Sequence, residues 1–277
     1  MCKTNENNIE QILEDKWKNA TIANNFIFYK VMRNNPDVCM ELLEILLQIK
    51  IDHIEMKSEE TVEVDFGKKG IRMDVYAVGA EKAFDLEMQA SDNGDLSERA
   101  RYYQGILDVQ ELNSGADYKT LKDSYVIFIC IPDIFGRGRA KYTFENLCIE
   151  EPEIKLNDRT YKYFFIAKNY DKILDEKQKA FLKLVISNGD SSGQTNSFTE
   201  KLSKLVKEAK INSQWRKQFM EWEREMAYKF REGERQARIE ASIEFLKEGV
   251  SPETIAKCEK LPIEEILELQ KQITVTA

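Results

Sequence analysis

Histidine is all but missing: it occurs once in 277 residues, at His53. One imidazole cannot build a His-rich metal site or a two-His nuclease motif, and it leaves room for a single Ser-His-Asp or Cys-His catalyst at most. Acid–base or metal chemistry therefore falls to carboxylates, with Lys, Arg, Tyr or Gln in support. Proline (5) and glycine (12) are sparse, as suits a helix-rich globular chain with an ample core. The five cysteines, Cys2, Cys39, Cys130, Cys148 and Cys258, contain no CxxC pair. That argues against zinc ribbons and a disulfide framework and for reduced intracellular thiols. No stretch reaches the ~18 apolar residues of a membrane span, and the opening MCKTNENNIEQ has no apolar secretion segment. The expectation is a cytoplasmic protein with no membrane partner.

Charge, by contrast, is abundant. Charged residues make up 32% of the chain, with 41 basic against 49 acidic and a net charge of −8. A whole-chain footprint for nucleic acid would be basic, so this balance counts mildly against DNA, while leaving room for a local basic face.

Residues 1–15 are polar and read as a tail or a short helix. From Ala20 to Ile51 apolar positions recur at helical spacing, broken into two helices at Asn34-Asn35-Pro36-Asp37. Residues 50–90 change period and read as strands: one near 52–57, one near 61–66, then a hairpin with turns at Gly67–Gly70 and Val78–Lys82. Residues 95–113 return to helix. Ser124–Ile131 (SYVIFICI) is a near-continuous apolar run, as expected of a strand buried on both faces. Another strand is expected at Tyr161–Ala167, and a helix over 172–186. Ser187–Asn196 is small and polar throughout, the best linker in the chain. Five parts follow: a polar tail over 1–15, a folded domain over 16–187, a linker over 188–196, a charged helical arm over 197–248, and a short helix pair over 249–277. Ser251-Pro252 and Pro262 open the two helices of that pair.

The hairpin carries the chemistry. Ile71, Met73, Val75 and Ala77 alternate with Arg72, Asp74 and Tyr76. Phe84, Leu86 and Met88 alternate with Asp85, Glu87 and Gln89. A turn centred near residue 80 sets Asp74 opposite Glu87, with side-chain roots roughly 5 Å apart. Two opposed carboxylates repel unless something neutralises them. A divalent cation is one candidate, since hard oxygen ligands suit Mg²⁺ or Mn²⁺. Gln89 points to the same face. The plainer alternative is a half-solvated hairpin whose acids meet water, screened by Arg72.

Asp74 followed by Glu87-Met88-Gln89 resembles the PD-(D/E)XK nuclease signature in the form where Gln stands in place of Lys. The surrounding words extend the resemblance: Asn25–Lys30 (NFIFYK), Arg72–Val75 (RMDV), Leu86–Gln89 (LEMQ), Arg99–Tyr103 (RARYY), and Gly115–Tyr118 (GADY) followed by SYVIFICI. In their order and spacing these resemble the Rpn-type recombination-promoting nucleases, also called PD-(D/E)XK nuclease family transposases, from about residue 20 to 170. Arg231–Arg235 and Gly249–Ala256 resemble the same family's ending.

The resemblance implies an α/β, restriction-endonuclease-like core with a mixed central sheet flanked by helices, plus a helical C-terminal extension. It implies metal-dependent DNA cleavage, with Asp74, Glu87 and the Met88 backbone carbonyl as ligands to Mg²⁺, or Mn²⁺ in its place. Gln89 would orient water by hydrogen bond but brings no charge, which shifts the burden to the metal and nearby Arg. Arg99 and Tyr103, i and i+4 on one helix face, would support the site or meet a phosphate, as would Arg72. Glu44 is a candidate extra acid from the preceding helix. Glu41, Asp65 and His53 read as solvated or structural positions, and Tyr118 as packed beneath the next strand. Arg137 and Arg139 fall on a Gly-rich loop that either meets a phosphate backbone or is simply solvated.

Residues 201–231 hold nine basic residues against four acids, with Lys201, Lys204 and Lys207 as a stripe and Trp215, Phe219 and Trp222 as a contact face. Such charge runs are usually solvated. The acidic pair at 249–270 fits protein contact or a homodimer better than DNA. Two expectations stand: a Mg²⁺-dependent endonuclease on duplex DNA, acting in recombination or transposition, or a catalytically weak relative that binds DNA or assembles. A His- or Cys-based hydrolase is disfavoured.

Overall fold

The computed structural model describes residues 2–57, 74–187 and 196–276. The expected strand at 61–66, the turn at Gly67–Gly70, Asp65, Arg72 and most of the linker (188–195) lie outside the described residues.

The chain forms two compact units, Met1–Arg216 and Lys217–Ala277. The first opens with helix α1 (Cys2–Asn19), which buries Leu13 and Trp17. Helix α2 (Asn25–Asn34) begins at Asn24, whose side chain accepts the N–H groups of Phe26 and Ile27, satisfying two otherwise orphaned donors. Asn35 ends α2 and starts α3 (Pro36–Leu47), where Pro36 takes the first turn, as the Asn-Asn-Pro-Asp break anticipates. The α3 carbonyls of Ile45 and Leu46 are capped by Gln178 Nε2 at 2.9 and 3.0 Å, so that buried amide is spent on a helix end.

Among the described residues the sheet has six strands in the order β1-β2-β3-β4-β6-β5. They are β1 (Glu55–Met56), β2 (Val75–Val78), β3 (Lys82–Gln89), β4 (Asp123–Cys130), β5 (Lys141–Phe144) and β6 (Thr160–Ile166). The β1–β2, β2–β3 and β5–β6 pairs are antiparallel, whereas β3–β4 and β4–β6 are parallel. Parallel neighbours need a long crossover; helix α4 (Leu96–Glu111) supplies it between β3 and β4. β4 lies between two parallel neighbours, so both its faces are covered and its apolar run does not alternate.

Two aromatic layers sandwich this centre. Phe84 stacks on Tyr125 at 5.3 Å and Tyr125 on Tyr161 at 5.0 Å, following the strand register. On the face that receives α4, Tyr103 stacks on Phe128 and Phe128 on Phe164. Helix α2 packs on β2 and β3, while α5 (Glu176–Ile186) and α6 (Ser197–Ile211) close on α3. The result is a mixed six-stranded sheet flanked by helices, the α/β class expected from the sequence.

Three particulars differ from the sequence reading. The strand near 52–57 is only Glu55–Met56. The edge strand β5 was not anticipated: four residues long and half-exposed, it lacks the apolar alternation that marks a strand. Tyr118 does not pack beneath β4 but is 78% exposed, because a 3₁₀ turn capped by Asp117 turns it outward.

The second unit comprises the rest of α7 (Ser213–Lys247), then α8 (Pro252–Glu259) and α9 (Ile263–Thr276). Ser251 caps α8, Ile255 and Ile266 are buried, and Arg235 pairs with Glu265 at 2.6 Å to tie α7 to α9.

Candidate functional site

The β2–β3 hairpin positions the acids. Its register pairs Val75 with Leu86 and Tyr76 with Asp85, so residues whose numbers sum to 161 face each other. The turn is tight: Gly79 N–H donates to Lys82 O at 2.7 Å, and a Cβ on Gly79 would sit 2.9 Å from the His53 carbonyl. Only glycine fits that approach. Lys122 then braces the turn by donating to Gly79 O at 3.0 Å while pairing with Glu111 at 2.8 Å, and Tyr76 donates to the same Glu111.

Immediately before β2, Asp74 reaches Glu87 by a reciprocal clasp. Its backbone N–H donates to Glu87 Oε1 at 2.7 Å, and its own Oδ2 accepts the Met88 N–H at 3.0 Å. Helix α4 adds a cation. Arg99 Nη2 donates to Glu87 Oε2 at 3.2 Å and to Tyr103 Oη at 3.1 Å, while Nη1 donates to Gln89 Oε1 at 3.0 Å. The guanidinium lies over the rings of Tyr103 and Phe128. The structure thus brings Asp74, Glu87, Met88, Gln89, Arg99 and Tyr103 together. Glu44 has other partners: its Oε1 accepts the Ile51 N–H at 3.0 Å and lies 3.9 Å from Lys50.

Asp85 is the member that sequence reasoning passed over. It is 0% exposed, and neither carboxylate oxygen has a hydrogen-bond partner among the described residues. The alternation of β3 already placed it on the polar face beside Glu87; what the sequence hides is that α4 seals that face. Burial, then the Asp74 charge, pushes the Asp85 carboxyl well above the ordinary range. Burial, then the Asp85 charge, does the same to Glu87, against the pull of the Asp74 N–H and of Arg99. As two carboxylates, Asp85 and Glu87 can only repel; a hydrogen bond between them requires one to carry a proton. Burial and the neighbouring Glu87 push Tyr103 up to about 12, so it stays neutral while it accepts from Arg99.

Among the described residues three acids face one guanidinium, so full ionisation would leave a surplus of two negative charges, which burial resists by raising two of the acids toward their protonated forms. Hard oxygen donors with such a surplus are what a small divalent cation takes. Among the described residues no group of three or more His, Cys, Asp and Glu side chains is arranged to hold a metal. A cation held here would take one or two carboxylates and keep its waters rather than sit in a closed protein cage. Asp74, Glu87 and the Met88 carbonyl are the groups able to contribute.

Elsewhere, Lys201 is engaged by Asp37 at 2.7 Å and Lys204 by Glu208 at 3.9 Å. Phe219 is buried and stacks obliquely on the half-buried Trp222.

No curated protein and no solved structure matches the chain. Residues 23–236, which contain the whole carboxylate cluster, match the model of a family described as PD-(D/E)XK nuclease family transposase. A match over that much of the sequence, on a mixed sheet flanked by helices, carries the conclusion that the chain belongs to the PD-(D/E)XK nuclease family transposases.

Proposed function

We propose that this protein is a Mg²⁺-dependent DNA endonuclease of the recombination-promoting type, with Mn²⁺ able to substitute. The observation that carries the reading is the clasp between Asp74 and Glu87-Met88 beside Asp85, a buried acid with no hydrogen-bond partner among the described residues. Family membership already points to a nuclease-like function on DNA.

When bound, the cation would supply charge to the scissile phosphate and lower the pKa of an attacking water. Asp74, Glu87 and the Met88 backbone carbonyl would be the groups to hold it. Gln89 has one end of its amide fixed by Arg99 and the other by Ser91 O at 2.6 Å, leaving one N–H and one lone pair to orient a water. Arg99 keeps Glu87 in place and leaves its remaining donors to a phosphate oxygen. Tyr103, neutral, fixes the guanidinium.

The working domain is the 16–187 segment, followed by the 188–196 linker, the arm at 197–248 and the helix pair at 249–277, which we assign to homodimer contact. Among the described residues no helix is long and apolar enough to cross a membrane, and we assign the protein to the cytoplasm.

The test is nicking or linearisation of supercoiled plasmid by the purified protein in Mg²⁺ or Mn²⁺. Cleavage that vanishes in Asp74→Ala with the fold intact is the expected result. A folded wild-type chain that never cuts DNA in either metal sinks the reading. One observation favours a second reading, a catalytically weak DNA-binding relative: the Gln89 amide is already tied at both ends and no Lys stands in its place. Absence of site-specific Mn²⁺ binding would favour it.

A further inference from the structure

The loop after β4 lies at the same end and on the same face of the sheet as the carboxylate cluster. It starts where Ile131 N–H donates to Gln89 O at 2.9 Å. Its Ile134 and Phe135 pack on the buried cluster that contains Tyr103 and Phe128. Phe135 meets Phe164 edge-on at 5.1 Å and Tyr142 at 4.6 Å.

This loop is built rather than slack. Asp133 takes five hydrogen bonds: Oδ1 from the N–H groups of Phe135 and Gly136 and from Tyr142 Oη, Oδ2 from Gly138 N–H and Asn169 Nδ2. Gly138 O accepts Lys172 Nζ at 2.7 Å, and Arg139 O accepts Asn169 Nδ2 at 3.0 Å. Gly136 and Gly138 adopt φ of +63° and +69°, conformations that L side chains resist. Between and after them stand Arg137 and Arg139, both exposed, and neither guanidinium has a partner among the described residues. Lys168, whose backbone bonds Ile131 O, is likewise exposed. Over 131–141 and 167–172 five cations meet two acids, one of which, Asp133, is consumed inside the loop. On a chain of net charge −8, this is a local reversal of sign.

We infer that the loop 131–140 is a pre-ordered clamp for the phosphodiester backbone of nucleic acid, with Arg137 and Arg139 as the contacting groups and Lys168 beside them. This rests on the reading of the neighbouring carboxylates as a DNA-cleaving centre. An acidic centre repels a polyanion, and a rigid cationic rim one strand away offsets that repulsion and orients the strand. Free guanidinium forks suit phosphate oxygens, and a fixed loop loses little freedom on binding. Because the contacts would be to phosphate alone, they position the strand without reading its sequence.

The experiment is fluorescence anisotropy of a short duplex DNA titrated with the full-length protein in EDTA, where no cleavage occurs, over a range of salt. Arg137→Ala/Arg139→Ala should weaken binding about tenfold and lower the slope of log K against log salt by about 2. Arg137→Lys/Arg139→Lys should keep most of the slope. Both sites are exposed, and circular dichroism checks the fold. Unchanged affinity and slope in the alanine pair, or no duplex binding by the wild type, overturns the inference. Salt-dependent wild-type binding that the alanine pair loses, combined with no cutting in Mg²⁺, overturns the nuclease reading and leaves the clamp standing.

Discussion

Asp74 and Glu87 hold each other through the backbone: the N–H of Asp74 donates to Glu87 Oε1 at 2.7 Å, while Asp74 Oδ2 accepts the N–H of the next residue, Met88, at 3.0 Å. Two acids that would repel across a hairpin are thereby fixed by donors that carry no charge to lose.

Replacing either acid should abolish cleavage. We expect Asp74→Ala and Glu87→Ala each to lower the rate of plasmid nicking by on the order of 100-fold or more. Asp74→Ala also opens one arm of the clasp, at a cost of about 1 kcal/mol. Gel assays and a urea melt measure the two effects separately. A variant that still cuts within a few-fold of wild type would remove that acid from the site.

Divalent cations should stabilise the fold. At Mg²⁺ or Mn²⁺ near 100 times Kd, linkage gives about 2.7 kcal/mol, which is roughly a 5–10 °C rise in melting temperature for a unit of this size. EDTA should reverse the shift, and Glu87→Gln should show little of it. An equal shift in wild type and Glu87→Gln would place the cation elsewhere.

Asp85 is buried without a hydrogen-bond partner among the described residues, and its neutral isostere should relieve the metal-free protein. Asp85→Asn is expected to gain about 1 kcal/mol, roughly 2–4 °C, in EDTA, while weakening Mn²⁺ binding. The pH dependence follows the same sign. Burial raises the folded-state pKa of Asp85 and Glu87 above their unfolded values near 4. Above that pH the folded chain binds more protons than the unfolded one, so the contribution of this pair to stability is lost as pH rises toward the folded values. Thermal melts in EDTA from about pH 4 upward should show wild type declining more steeply than Asp85→Asn. Parallel profiles would contradict this account.

Arg99 touches Glu87, Gln89 and Tyr103 at once. Arg99→Ala leaves the Glu87 side chain, 3% exposed, beside Asp85 with no cation, and should cost about 2 kcal/mol or more. Arg99→Lys should recover only part, because one ammonium cannot span three acceptors as the planar fork does. Melting temperatures at neutral pH decide it; Arg99→Ala matching wild type would demote the residue to a surface cation.

Much of this was legible in the sequence for identifiable reasons. The strict alternation around Asp74 and Glu87 depends only on the two-residue period of a strand, and the turn centred near residue 80 gives the register that the hairpin adopts. The Asn-Asn-Pro-Asp break and the Ser-Pro start of α8 are local backbone chemistry, readable without tertiary context. Asp85 escaped because burial of a polar face is decided by what lands on it, here α4, and no local pattern carries that. Strand β5 escaped because an edge strand can be short and polar. Tyr118 was misread because an aromatic before an apolar run looks like core, whereas its direction is set by a one-turn cap. The commitment of Gln89 to Arg99 and Ser91 depends on rotamers, which spacing does not encode.

Every residue proposed to touch the cation lies within Asp74–Tyr103, one uninterrupted stretch that ends before β4 begins. During synthesis the hairpin and its following helix leave the ribosome first. Until that helix settles on the strands and the partner strand, Asp123–Cys130, completes the sheet, the acids remain in water and suffer no desolvation. Docking of α4, completed by β4, is therefore the event that turns surface carboxylates into a buried, cation-seeking group, and a divalent ion present at that moment would favour closure.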